Sequence, residues 1–350
     1  MSILKTSFGK NNQGEEVFLY TVENQSGMKA CFTNYGAIMT NLFVPDKDGA
    51  LADVVLGYDN MEGYIKNPGY FGATIGRNGN RIAGSQFVIN GVTYQLDKNE
   101  GENNLHGGIN GYNKRMWDVK VNETENAVEF SLFSPDGDQG FPGNFNVTVT
   151  YTLTEDGEVK INYKGTSDAD TVANMTNHSY FNLGGHTSNT ILDHLLWIKA
   201  SKFVPVVDKA SIPTGEVVTV TGTPMDFTTS KVIGQDIEND FEQLKFTGGY
   251  DHNYAIDKES QGIEKVAVVE NPKSGRKMEV YTDLPGIQLY AGNFIDTNGV
   301  KGKEGMLYKQ RGGLCLETQY FPDAINQPNF ASPVLKAGEE YNTTTVYKFL

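Results

Sequence analysis

Arginine is scarce in this chain of 350 residues: Arg77, Arg81, Arg115, Arg276 and Arg311 are all there are, and 29 Lys and Arg stand against 43 Asp and Glu, for a net charge of -14. Recognition of phosphate backbones or anionic lipid needs clustered cations, so this balance argues against a nucleic-acid or membrane-surface partner. Cysteine is nearly absent as well. Cys31 and Cys315 lie far apart with no Cys-x-x-Cys spacing, which points to free thiols in a reducing, cytoplasmic compartment and away from a zinc site or a disulfide. No apolar run reaches membrane-spanning length, and the opening Met1-Ser2-Ile3-Leu4-Lys5 has no stretch long enough for a signal peptide.

Other absences bear on cofactors. No Gly-x-Gly-x-x-Gly or Walker spacing accompanies the glycines, so no phosphate cradle is expected. His178, His186 and His194 recur at intervals of eight, but turn formers separate them and no helical His-x-x-x-His pair exists. The acidic connector from Ser134 to Gly143 lacks the closing Glu of an EF-hand loop. No metal site is expected.

What is plentiful is turn chemistry. The chain has 39 glycines, and between its Gly, Asn and Asp clusters run short segments rich in Val, Ile, Tyr, Phe and Thr, the texture of an all-β protein. Gln86 to Leu96 reads as a hairpin turning at Asn90-Gly91, and regular strands are expected over 128–133, 146–153 and 159–163. A short helical turn is expected from Asn60 to Asn67. An amphipathic helix is expected from Ser230 to Leu244, where Ile233, Ile237, Phe241 and Leu244 recur at near-helical spacing. No linker or internal repeat interrupts the chain, so 1–350 reads as one large domain.

The chemistry concentrates in a few polar knots. Asn174-Met175-Thr176-Asn177-His178-Ser179-Tyr180-Phe181-Asn182 surrounds one imidazole with neutral hydroxyls and amides ahead of a Gly-Gly turn. Histidine gives or takes a proton near neutrality, yet a lone histidine serves a structural role as readily. Asn103-Asn104-Leu105-His106-Gly107-Gly108 repeats the device. In Gly76-Arg77-Asn78-Gly79-Asn80-Arg81, a period of two puts Arg77 and Arg81 on one face, with a bulge at Gly79 turning Asn80 beside them. Later, Asp251 sits in a Tyr250 to Tyr254 knot. Alternation sets Gln288 and Tyr290 on one strand face, and Cys315, Glu317 and Gln319 on another. Taken alone, Glu317 is a surface residue or a base.

Together these segments, with Asp136-Gly137-Asp138-Gln139-Gly140-Phe141-Pro142-Gly143, Gly249-Tyr250-Asp251-His252, Gln288 to Phe294 and Leu316-Glu317-Thr318-Gln319, make a chain that resembles the aldose 1-epimerase (galactose mutarotase) family from about residue 15 to the C-terminus. The resemblance implies a large antiparallel β-sandwich of the mutarotase supersandwich type, all-β with few short helices. It implies a cofactor-independent isomerase that interconverts the α and β anomers of free aldohexoses such as galactose and glucose, feeding hexose metabolism. It further implies His178 as general acid and Glu317 as general base, with Asn80, Arg81, His106, Tyr180, Asp251 and Gln288 holding the sugar. The expected partner is a small-molecule aldose, with no nucleic acid and no membrane, acting on a monomer or homodimer. Ala291 and Thr318 stand where relatives vary, which bears on sugar preference. Two other readings stay open: a glycoside hydrolase using Glu317 and Asp251 as its carboxylates, and a sugar-binding module without catalysis. A sugar-phosphate epimerase fits less well with so few arginines.

Overall fold

Along Phe145–Leu153 and Glu158–Ser167 the side chains alternate between buried and solvated positions, with Phe145, Val147, Val149, Tyr151, Leu153, Val159, Ile161 and Tyr163 turned inward. A strand with period-two burial has one wet face and one face that must be covered. In the computed structural model, which describes residues 3–295 and 299–350, these two strands sit within a nine-stranded antiparallel sheet. Of the opening stretch Met1 to Lys5, the first two residues lie outside the described ones.

The cover is supplied by two smaller antiparallel sheets. The first is a meander of five strands from Leu4–Lys10 to Leu51–Asp53. Its Phe32 stacks on Tyr151 with ring centroids 4.4 Å apart, and its Tyr20 meets Phe130 edge-on. The second runs in the order Val218–Thr219, Lys202–Val204, Asp251–Ala255, Gly286–Tyr290, Cys315–Gln319. It turns Ile287, Leu289 and Leu316 into the common core, and Tyr347 of the large sheet donates its hydroxyl to Leu316 O across the layers at 2.9 Å. Each such fully buried side chain contributes about 1.5–3 kcal/mol, which lets the other face of this small sheet carry groups that do not favour folding. Among the described residues the only α-helices are Met61–Lys66 and Glu242–Thr247. The all-β sandwich expected from the sequence is therefore the fold observed.

Two local expectations fail for identifiable reasons. Ser230 to Leu244 is not one helix: it contains the strand Lys231–Val232, a 3-10 turn at Ile233–Gln235, and an α-helix that starts only at Glu242. Ile233, Ile237 and Leu244 are buried as their spacing suggests. Gly234, however, donates to Leu192 O at 2.9 Å and lies against that backbone, and a turn from Asp236 to Asn239 interrupts the run. Arg77 and Arg81 do not share a face either. Asn80 adopts φ 62 between them, a left-handed conformation that asparagine tolerates and that breaks the strand period. Arg77 is consequently driven inward, where it donates to Ser134, Pro142, Gly143 and Thr171 at 2.7–3.1 Å. Arg81 alone of the two reaches a cleft.

Candidate active site

Strand register assembles the site. Asp251 lies opposite Tyr290 and Tyr290 opposite Cys315; Asn253 lies opposite Gln288 and Gln288 opposite Glu317. Because alternate residues share a face, Asp251, Gln288, Tyr290, Cys315 and Glu317 all stand on the same side of one sheet. The two faces expected from separate strands are thus one. Against the Cys315–Gln319 strand packs a short strand, Thr176–His178, held in place by pairing with Ala73–Ile75. A third pairing, Arg81–Ile82 with Asn104–Leu105, brings Arg81 and His106 to the same cleft.

The cleft is a cavity of about 390 Å³ walled by Asn80, Arg81, His106, His178, Tyr180, Asp251 and Glu317. Seven of the eight residues expected at the site therefore meet there. The eighth, Gln288, stands behind the wall: its Nε2 donates to Asp251 Oδ1 at 2.7 Å, and its Oε1 accepts from Gln319 Nε2 at 3.4 Å. Gln288 thus orients Asp251 and does not itself line the cleft.

At the floor, Glu317 is 2% exposed, and its Oε1 lies 3.7 Å from His178 Nε2. Its other oxygen, Oε2, is buried with no hydrogen-bond partner. An unpaired buried carboxylate oxygen is costly unless a ligand completes it. Burial pushes the Glu317 carboxyl well above the usual range, Asp251 adds to the rise and Arg81 opposes it. His178 is pulled down to about 4 by burial. An ion pair at 3.7 Å in so dry a place does not recover the desolvation of both charges. Burial therefore favours the uncharged form of each partner.

His178 Nδ1 lies 3.5 Å from Cys315 Sγ, and the ring is packed among Tyr70, His106, Tyr180 and Tyr290 at centroid distances of 5.1–6.4 Å. The Cys315 thiol is itself held well above its ordinary pKa by burial. His106 accepts the backbone N–H of Asn80 on Nδ1 at 3.1 Å, and its backbone N–H donates to Asn80 O at 3.2 Å. Burial, then the proximity of His178 and Arg81, hold His106 well below its usual pKa. It is a neutral imidazole whose proton sits on Nε2.

His106, His178 and Glu317 offer ligand atoms within 4.8 Å of one another, the donor types of a catalytic zinc site. The Asn80–His106 hydrogen bond argues against that use. With Nδ1 accepting from Asn80 and Nε2 protonated, neither nitrogen of His106 has a lone pair to give a cation.

Arg81 is clamped by a residue that sequence reasoning passed over. Its Nε and Nη2 donate to Glu100 Oε2 and Oε1, both at 2.7 Å, which leaves Nη1 for a ligand. Tyr70 was missed too; it takes φ 57 and sets its ring 4.8 Å from His106. Glu100 stands three residues before Asn103-Asn104-Leu105-His106, and Tyr70 follows Asn67-Pro68-Gly69; neither carries a local pattern that marks it as functional. At the rim stand Lys209, Ser211 and Phe294, the last 68% exposed.

The sequence model of the aldose 1-epimerase family matches residues 19–348. The chain is 42% identical over 349 residues to the galactose mutarotase of Rattus norvegicus, covering 100% of this chain and 99% of that one. It is 38% identical over 339 residues to the aldose 1-epimerase of Escherichia coli K12, covering 96% of each. Among solved structures, an aldose epimerase homologue from C. elegans superposes with a TM-score of 0.86 at 33% identity, over 94% of this chain and 98% of that one. The galactose 1-epimerase of Lactobacillus acidophilus NCFM gives a TM-score of 0.86 at 27% identity, over 100% and 99%.

Proposed function

The chain belongs to the aldose 1-epimerase family and is a mutarotase, and we propose that Glu317 and His178 are the base and acid with which it interconverts the α and β anomers of free aldohexoses such as galactose and glucose. The observation that carries this reading is the buried, partnerless Oε2 of Glu317 on a carboxylate whose other oxygen lies 3.7 Å from His178 Nε2.

Opening a pyranose ring requires the anomeric hydroxyl to lose a proton and the ring oxygen to gain one. Glu317 takes the proton from O1–H. The C1–O5 bond breaks with its electron pair leaving on O5, His178 Nε2–H protonates that oxygen, and C1 becomes an aldehyde. Rotation about C1–C2 presents the other face, and closure returns both protons. One proton on the pair suffices throughout: imidazolium with carboxylate opens the ring, and imidazole with carboxylic acid closes it. Arg81 favours the ring-opening pairing by stabilising the Glu317 carboxylate against the burial that opposes it.

Meanwhile the rest of the sugar must stay still. Arg81 Nη1, His106 Nε2–H and Asp251 are placed to hold hydroxyls while C1 turns, and Tyr180 and Asn80 complete the wall. Fixed donors and acceptors of this kind make the closing face, not the position of the sugar, the free variable.

In the same reading the enzyme works in the cytoplasm as a monomer or homodimer, with residues 1–350 as one domain. The buried free thiols Cys31 and Cys315 support a reducing setting, and no helix among the described residues is long and apolar enough to cross a membrane. Polarimetry on freshly dissolved α-glucose and α-galactose tests the activity: the rotation should reach equilibrium faster with protein than without. Binding of sugar with no acceleration, or release of sugar from a glycoside, would instead identify a binding module or a hydrolase.

A further inference from the structure

The ring of His178 is bracketed by one strand. Cys315 and Glu317 are two residues apart on Cys315–Gln319 and so share a face. The first presents Sγ to Nδ1 at 3.5 Å, and the second presents Oε1 to Nε2 at 3.7 Å. Nδ1 also meets the backbone carbonyl of His178 itself, and its side-chain partner is a thiol.

The proton-transfer cycle makes a demand on that nitrogen. When Nε2 has given its proton to the ring oxygen, the remaining ring proton must sit on Nδ1, or Nε2 has no lone pair with which to take the proton back. Which nitrogen of a neutral imidazole is protonated is decided by what the other one meets. The neighbouring His106 shows the opposite setting, since Asn80 N–H occupies its Nδ1 and keeps the proton on Nε2. Building on the proposed role of His178 as the acid, we infer that Cys315 is a positioning residue, whose sulfur accepts the Nδ1–H of His178 and so reserves Nε2 for proton transfer to and from the sugar.

The choice of sulfur has a consequence. A carboxylate at Nδ1 stabilises imidazolium and makes the ring a weaker acid. A thiol is a weak, uncharged acceptor. It fixes the tautomer while leaving the ring ready to part with its proton, and it adds no further charge to a cleft that already contains Asp251 and Glu317. The sheet register enforces the contact: Cys315 sits opposite Tyr290, whose ring also faces His178.

The test is the ring-nitrogen NMR spectrum of ¹⁵N-histidine-labelled protein near pH 7 without sugar, with the His178 signals identified by their loss in His178→Asn. The wild type should show His178 as the Nδ1–H tautomer. Cys315→Ala should move it toward Nε2–H and lower kcat by at least roughly tenfold with KM little changed. Cys315→Ser, with an oxygen that also accepts, should keep the tautomer and recover kcat, while the acidic limb of the kcat profile moves because oxygen is the stronger acceptor. A wild-type His178 already protonated on Nε2, or a folded Cys315→Ala with unchanged tautomer and kcat, overturns the inference. The tautomer readout is independent of the role of His178 itself: if His178→Asn stays active, the acid assignment fails, whatever the spectra show of Cys315.

Discussion

Arg81 spends two of its three guanidinium nitrogens on Glu100, each at 2.7 Å, and is thereby held with the third free at the cleft. The pair is largely sheltered on the arginine side, with the Arg81 side chain 13% exposed and that of Glu100 35% exposed. A bidentate pair of this kind supplies direction as well as attraction.

Glu100→Ala should therefore weaken sugar handling without touching the proton-transfer pair. The expected result is KM raised by roughly three- to tenfold with a smaller fall in kcat, and a milder effect than that of Arg81→Ala, which removes the contact itself. Steady-state kinetics of both variants on galactose checks this. Equal and unchanged constants in the two would remove the clamp from the site.

All five histidines are held below their ordinary pKa by burial, and His252 gives the cleanest measurement because it takes no part in the proposed chemistry. Its folded value is about 3 against an ordinary 6.5. Below pH 6.5 the unfolded chain takes up a proton here and the folded chain does not. The stability this residue contributes is therefore complete above pH 6.5 and is lost as pH falls through the folded value. His252→Asn leaves an oxygen to accept Asp251 N–H, as Nδ1 does now at 3.3 Å, and removes the titration. Its stability relative to wild type, from urea unfolding, should improve by about 2–3 kcal/mol between pH 7 and pH 4.5. A difference that does not change with pH would contradict the buried neutral state.

Exhaustive dialysis against a chelator should leave mutarotation at its full rate. His106 has no lone pair free for a cation once Nδ1 accepts from Asn80. Loss of activity restored by a divalent ion would show that His106, His178 and Glu317 do hold one.

How much of this was legible in the sequence differs from residue to residue. The polar knots around His106, His178 and Asp251 and the strand alternation around Glu317 were visible because each departs locally from what a solvated strand or turn needs. That Gln288 and Glu317 lie side by side was not visible, since register between strands depends on which strands pair. Arg77 looked equivalent to Arg81 until the left-handed turn at Asn80 separated them. Glu100 and Tyr70 are brought to the cleft by loops whose paths no periodicity encodes. In Ser230 to Leu244 the apolar spacing identified core residues correctly, yet the spacing alone did not reveal that Gly234 and the Asp236 turn would break the helix.

The most direct measurement is the kinetics and sugar affinity of Glu317→Gln. The amide keeps the shape and hydrogen-bonding capacity of the side chain and removes only the ability to take the anomeric proton. General-base catalysis contributes about 10²- to 10⁴-fold, so kcat should fall at least roughly 100-fold while galactose affinity by calorimetry changes only modestly. Combining it with His178→Asn should cost far less than the product of the two single losses, because either one stops the same cycle. A well-folded Glu317→Gln that retains most of its activity would contradict the assignment and pass the role of base to another group, Asp251 first among them.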